Sequence, residues 1–128
     1  MKTSIGVVLA LVATGVTLAQ VAPRSYADAK AVWERSRSMP EYQNYATESS
    51  QFNNHFHLDE KGGCYQLASG PVNLMLIISR PDNSGFAVIE RVLSDVDNAK
   101  ARCFEKAYHG INTKVPPFLP FVLQLGMG

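Results

Sequence analysis

The spacing of apolar and polar residues divides this chain into a leader and one small domain. An apolar run from Ile5 through Leu18 follows Lys2 and closes on Thr17-Leu18-Ala19. A charged start, an apolar stretch of about 7–15 residues and a small-residue end form the layout of a secretory signal peptide. A membrane-spanning helix needs about 20 apolar residues, and Gln20, Pro23 and Arg24 break this run first. Residues 1–19 are therefore read as a leader rather than a retained anchor. The expected cut falls after Ala19, with Ser25-Tyr26-Ala27 as a second option. No Cys stands at either cut, so nothing points to a lipid anchor.

Residues 20–37 form an N-terminal segment in which Tyr26 to Arg35 has helix-forming composition, with Tyr26, Val32 and Trp33 as its large apolar anchors. A lone Trp in such a helix packs on its domain more often than it serves as a handle for a partner. The domain proper is expected over 38–128. Ser38-Met39-Pro40-Glu41 has the form of a capping box with proline in the first turn. Tyr42, Tyr45, Ala46, Ser49 and Phe52 follow at helical spacing, and the helix is expected to end near Asn53-Asn54. Residues 55–63 begin with alternation and end as a loop, and Cys64 to Leu67 reads as a short strand. Val72 to Ser79 is the clearest strand. Arg80-Pro81-Asp82-Asn83-Ser84-Gly85 is turn chemistry, and Phe86 to Leu93 is the returning strand of a hairpin. Ser94-Asp95-Val96-Asp97 is expected to open a helix that places Val96, Ala99, Cys103, Phe104, Ala107 and Tyr108 on one face and stops at Gly110. Val115-Pro116-Pro117 is a stiff spacer before a final strand, Phe118 to Leu125. Pro120 cannot donate to a ladder, which puts it at an edge or at the strand start. The order is helix, helix, hairpin, helix, strand: an α+β domain with helices on one face of a small antiparallel sheet of three strands.

Composition adds the compartment. About 109 residues remain after the leader, enough for one small domain. Eleven basic residues face eleven acidic ones, interspersed, with no basic cluster for nucleic acid and no basic amphipathic stretch for a membrane surface. The only cysteines are Cys64 and Cys103. In an exported protein an even count reads as a disulfide, here closing a loop of about 40 residues and contributing about 2–4 kcal/mol. The alternative is two separate buried thiols. Two cysteines this far apart are too few for a structural zinc site.

Candidate chemistry is sparse. His55 and His57 share a strand face, with Asp59 and Glu60 nearby, but a catalytic zinc site needs a third protein ligand and an orienting shell. The plainer reading is a polar edge or loop. His109 sits in the last turn of a helix, where a cation complements the dipole. There is no Gly-x-Ser-x-Gly, no glycine-rich phosphate loop and no Cys-x-x-Cys. No catalytic residue, metal ligand or cofactor site is assigned.

Gly70-Pro71-Val72-Asn73-Leu74 through Ser94, then Ala101-Arg102-Cys103-Phe104 and Pro116-Pro117-Phe118, resemble the TonB C-terminal domain family, most of all its Cys-containing periplasmic variants. The likeness covers residues 70–126. It implies a helix–strand–strand–helix–strand fold and a non-enzymatic role: docking an envelope protein, either an outer-membrane receptor or a periplasmic component, by strand addition beside the last strand. The pairing edge would be Phe121, Val122, Leu123, Gln124 and Leu125. A strand at a sheet edge offers the unpaired N–H and C=O groups this needs. The chain departs from energy-transducing members: it has no long Pro-rich spacer, and Met39-Pro40 replaces the usual Tyr-Pro pair. A free periplasmic adaptor fits better than a link to a proton-motive complex. The alternative is a periplasmic inhibitor or immunity protein acting through an exposed loop, His57 to Gly63, with Asp59, Glu60 and Lys61 as its contacts. In either case the mature protein is exported and not inserted in the membrane. Phe118, Phe121 and Leu125 can also be plain core, and face packing can coexist with edge pairing.

Overall fold

The computed structural model describes residues 22–49 and 63–127. The expected leader Met1–Ala19, His55, His57, Asp59, Glu60, Lys61 and the expected helix end at Asn53-Asn54 lie outside these residues. Among the described residues no helix is long and apolar enough to cross a membrane.

The chain begins with helix α1, Tyr26–Ser36. Its N-cap is Ser25, whose Oγ accepts the Asp28 N–H at 3.1 Å. Helix α2 spans 40–49 and opens with Pro40 in the first turn, where Gln43 N–H already bonds Met39 O at 3.1 Å. The Ser38 capping box does not form: the chain turns through a Met39 N–H bond to Ser36 O, and Ser38 is left exposed. Residues 63–67 are a helical turn and bend rather than the expected strand.

The sheet is antiparallel with four strands: β1, Val72–Ser79; β2, Ala87–Ser94; β3, Asn112–Thr113; β4, Phe121–Met127, in the order β3-β2-β1-β4. The hairpin forms as expected around a turn in which Asp82 and Asn83 both take positive φ, 48° and 56°. Helix α3, Ala99–Tyr108, is capped by Asn98, whose side chain accepts the Ala101 N–H at 2.8 Å. The helix therefore starts later than Ser94. Ser94 Oγ instead donates to Val96 O and Glu105 Oε2, and Val96 is exposed. Past the end of α3, Gly110 takes φ 83°, and its N–H reaches Ile89 O at 2.8 Å, which ties the helix exit to β2.

The α+β class and element order are those expected. Two features differ. A fourth strand, β3, follows α3 and pairs only with Ala87 and Val88. Also, the helices lie on both faces of the sheet. One face joins Leu74, Leu76, Ile78, Ile89, Phe121 and Leu123 to Tyr42, Tyr45, Phe104 and Tyr108 from α2 and α3. The other face, Met75, Ile77 and Val122, is covered by Ala29 of α1, with Tyr26, Val32 and Trp33 around it. The reason is the composition of β1: Leu74 to Ile78 are all buried, so consecutive side chains pointing to opposite faces both need cover.

Cys64 and Cys103 are bridged, with Cα atoms 5.4 Å apart. The bridge fastens residues 63–70 to α3. The buried Lys100 adds to it, its Nζ donating to Gly70 O at 2.7 Å and lying 5.2 Å from the Tyr65 ring centre. Tyr65 meets Phe104 edge-on at 5.1 Å. Converting both cysteines to Ser should lower unfolding free energy by about 2–4 kcal/mol, read as a lower urea midpoint with unchanged far-UV circular dichroism. An unchanged midpoint would show that Lys100 and Tyr65 suffice to hold the segment.

Candidate functional site

The two ends of the sheet differ in chemistry. Hydrogen-bond parity shows which backbone groups each presents. Asn73 turns both its N–H and its C=O toward β2, donating to Asp95 Oδ1 at 2.9 Å and accepting from Asp95 N–H at 3.1 Å. Alternate residues of a strand face alternate neighbours, so Leu74, Leu76 and Ile78 face β4. Their partners Leu125, Leu123 and Phe121 face inward, and Val122, Gln124 and Gly126 turn their N–H and C=O groups to the outside.

The five residues expected to form a pairing edge thus lie on a true end strand, but their side chains belong to the interior. Phe121 and Val122 are fully buried, Leu123 nearly so, and Gln124 and Leu125 are half-buried. Phe121 is the hub, stacked on Tyr42 at 4.9 Å, edge-on to Tyr45 at 4.6 Å and tilted against Phe118 at 5.2 Å.

The outer edge is also covered at its middle. Helix α1 lies on one face and α2 on the other, joined only by residues 37–39. Helix α1 packs at the β4 end of the sheet, while α2 starts there with Tyr42 on Phe121 and reaches across to β3, where the Tyr45 hydroxyl meets Thr113 Oγ1 at 3.1 Å; Trp33 touches the cores of both faces. The Arg37 guanidinium sits 4.6 Å from the Trp33 ring centre. The connection therefore wraps around β4. Burial pushes the Tyr42 hydroxyl up to about 12, against hydrogen bonding from the Trp33 indole and the Gln124 backbone and the nearby charge of Arg37.

At the other end, β3 covers β2 only at Ala87 and Val88, and Ile111 O takes the Ile89 N–H at 2.9 Å. Beyond that point no strand pairs with β2 on its outer side among the described residues. This stretch is blunted. The register jumps from Ile89 to Arg91 opposite Ile78 and Ile77, which leaves Glu90 as the extra residue of a β-bulge. A groove of about 590 Å³ beside it is lined by five charged side chains, Glu90, Arg91, Arg102, Glu105 and Lys106, together with Val92 and His109. Bulges and charged side chains are how natural sheets discourage pairing at an edge.

No protein-family model, no curated protein and no solved structure matches the chain. Function is therefore argued from the edges themselves. Sequence reasoning found β4 but missed its cover, Trp33 and Tyr42. The one signal available was that Leu74 to Ile78 is apolar without alternation, which demands a second covering layer. Among the described residues no group of three or more His, Cys, Asp or Glu could hold a metal ion.

A pH profile tests the Tyr42 environment. Its phenol ionises near 10 when unfolded and near 12 when folded, so its contribution to stability is full below pH 10 and is lost as pH rises toward 12. Burial raises the Tyr108 phenol as well, with the same sign. The wild-type urea midpoint should fall between pH 10 and 12, and Tyr42→Phe should flatten that fall. Superimposable profiles would show that Tyr42 is not buried as described.

Proposed function

We propose that this chain is a non-enzymatic protein-binding module of the bacterial periplasm, exported with a cleaved Met1–Ala19 leader. It takes up an extended segment of an envelope protein along the outer edge of β4. The observation that carries this reading is the chemistry of that strand. Phe121–Met127 ends the sheet, contains no charged residue and no proline, and turns the backbone groups of Val122, Gln124 and Gly126 outward. An incoming strand would bond those groups and set alternate side chains against the Phe121 layer on one face and α1 on the other. The Cys64–Cys103 bridge supports an oxidising compartment. The helix–hairpin–helix–strand order supports the resemblance to TonB C-terminal domains at the level of topology.

The test uses the full chain in a Gram-negative host with a photo-crosslinking residue at Gly126, which is exposed and beside the outward backbone groups. The expected outcome is one envelope protein captured and identified by mass spectrometry, with capture lost in Gln124→Pro. That substitution removes an outward donor and leaves the β1 ladder whole. Capture that persists in Gln124→Pro, or that occurs from Glu90 instead, would move docking away from β4.

A further inference from the structure

The uncharged edge is wrapped and the charged edge is left open. Phe121–Met127 has the composition of a self-pairing strand: apolar, free of proline and free of charge. Antiparallel pairing of β4 with a second β4 about Gln124 would bring no like charges together, so nothing in the strand itself opposes it. The devices that blunt β2, a bulge at Glu90 and a charged flank, are missing from β4. In their place stands the α1–α2 connection. Trp33 packs against both cores, Arg37 lies over its ring, and Tyr42 stacks on Phe121 at the start of the strand.

We infer that α1, Trp33 and Tyr42 form an edge guard that keeps the chain monomeric, and that its release lets β4 pair with β4 of a second copy of this chain. The inference shares the β4 edge with the function proposed above but needs no partner protein, so it stands or falls separately from capture at Gly126. The guard acts at two points. Trp33 holds α1 against the edge and against Met75, Ile77 and Val122 behind it. Tyr42 anchors the start of α2 to the same strand, its ring stacked on Phe121 at 4.9 Å.

The test compares the wild-type chain with Trp33→Ala, Trp33→Leu and the same variants carrying Gln124→Pro by light scattering and amide hydrogen exchange. The wild type is expected to be monomeric. Trp33→Ala is expected to form a dimer whose Gln124 amide is protected, and adding Gln124→Pro is expected to return the monomer. A folded Trp33→Ala that stays monomeric at every concentration overturns the inference, as does a dimer that Gln124→Pro leaves intact. If Trp33→Ala does not fold, the milder Trp33→Leu decides the matter. It is expected to give the same Gln124-protected dimer, lost again with Gln124→Pro, and a folded Trp33→Leu that stays monomeric overturns the guard.

Discussion

Strand β1 has no polar face. Leu74, Met75, Leu76, Ile77 and Ile78 are all buried, and they point alternately to both sides of the sheet. A sheet with such a central strand must be covered twice, and the rest of the architecture answers that demand. Helices α2 and α3 cover one side through Tyr42, Tyr45, Phe104 and Tyr108, and α1 covers the other through Ala29, Val32 and Trp33. Because only residues 37–39 separate α1 from α2, the chain can change faces only around the nearest end of the sheet, which is β4. Closing the β4 edge is thus a geometric consequence of covering β1 on both faces.

That consequence lets β4 be what it is. A strand of apolar residues with no charge would be hazardous at an open edge, whereas behind Trp33 and Tyr42 its side chains contribute to both cores. Strand β2 has no such cover among the described residues and carries the opposite chemistry. Its consecutive polar pair, Glu90-Arg91, interrupts the apolar alternation, and the bulge accommodates the interruption. With Glu90 looped out, Ile89 and Val92 both join the core shared with α3, while Leu93 packs against the core under α1. Without the bulge, the pair would have turned one set of apolar side chains to the wrong face.

What could be read from the sequence follows from how local each signal is. The hairpin is written in consecutive residues, two apolar runs and a Pro-Asp-Asn-Ser-Gly turn, and β1 forms over Val72–Ser79 as expected. The disulfide follows from an even count of two cysteines read beside the apolar run from Ile5 through Leu18. The failures are tertiary. Ser38 and Ser94 have good capping chemistry, yet neither caps a helix: Ser38 is exposed ahead of α2, and Asn98 takes the cap of α3. Cys64 to Leu67 looks like a strand, but the bridge to Cys103 and the Lys100 bond to Gly70 hold it against a helix, where no strand pairs with it among the described residues. Strand β3 is two residues long and exists because Gly110 and Ile111 bond Ile89. The β4 edge was legible as a strand at the end of the sheet, but the residues that cover it lie about 80 positions earlier, and no spacing rule connects them.

The fastenings are distributed unevenly between the two faces. On the α3 side a covalent bridge, the Lys100–Gly70 bond and the Tyr65–Phe104 contact converge on one helix. On the other side, α1 is held by one fully buried alanine and a rim of half-buried Tyr26, Val32 and Trp33, with no covalent tie. Local opening follows the lowest density of buried apolar contact. Helix α1 should therefore detach before α3 does, and it should do so without breaking a rung of the sheet. The first surface to appear would be the outer edge of β4 together with Met75, Ile77 and Val122. A guard that works by packing alone can be displaced by a competing strand, whereas one tied by a disulfide could not. The covalent bond sits on the face where the fold needs permanence, and the edge with pairing chemistry lies under the element that can leave.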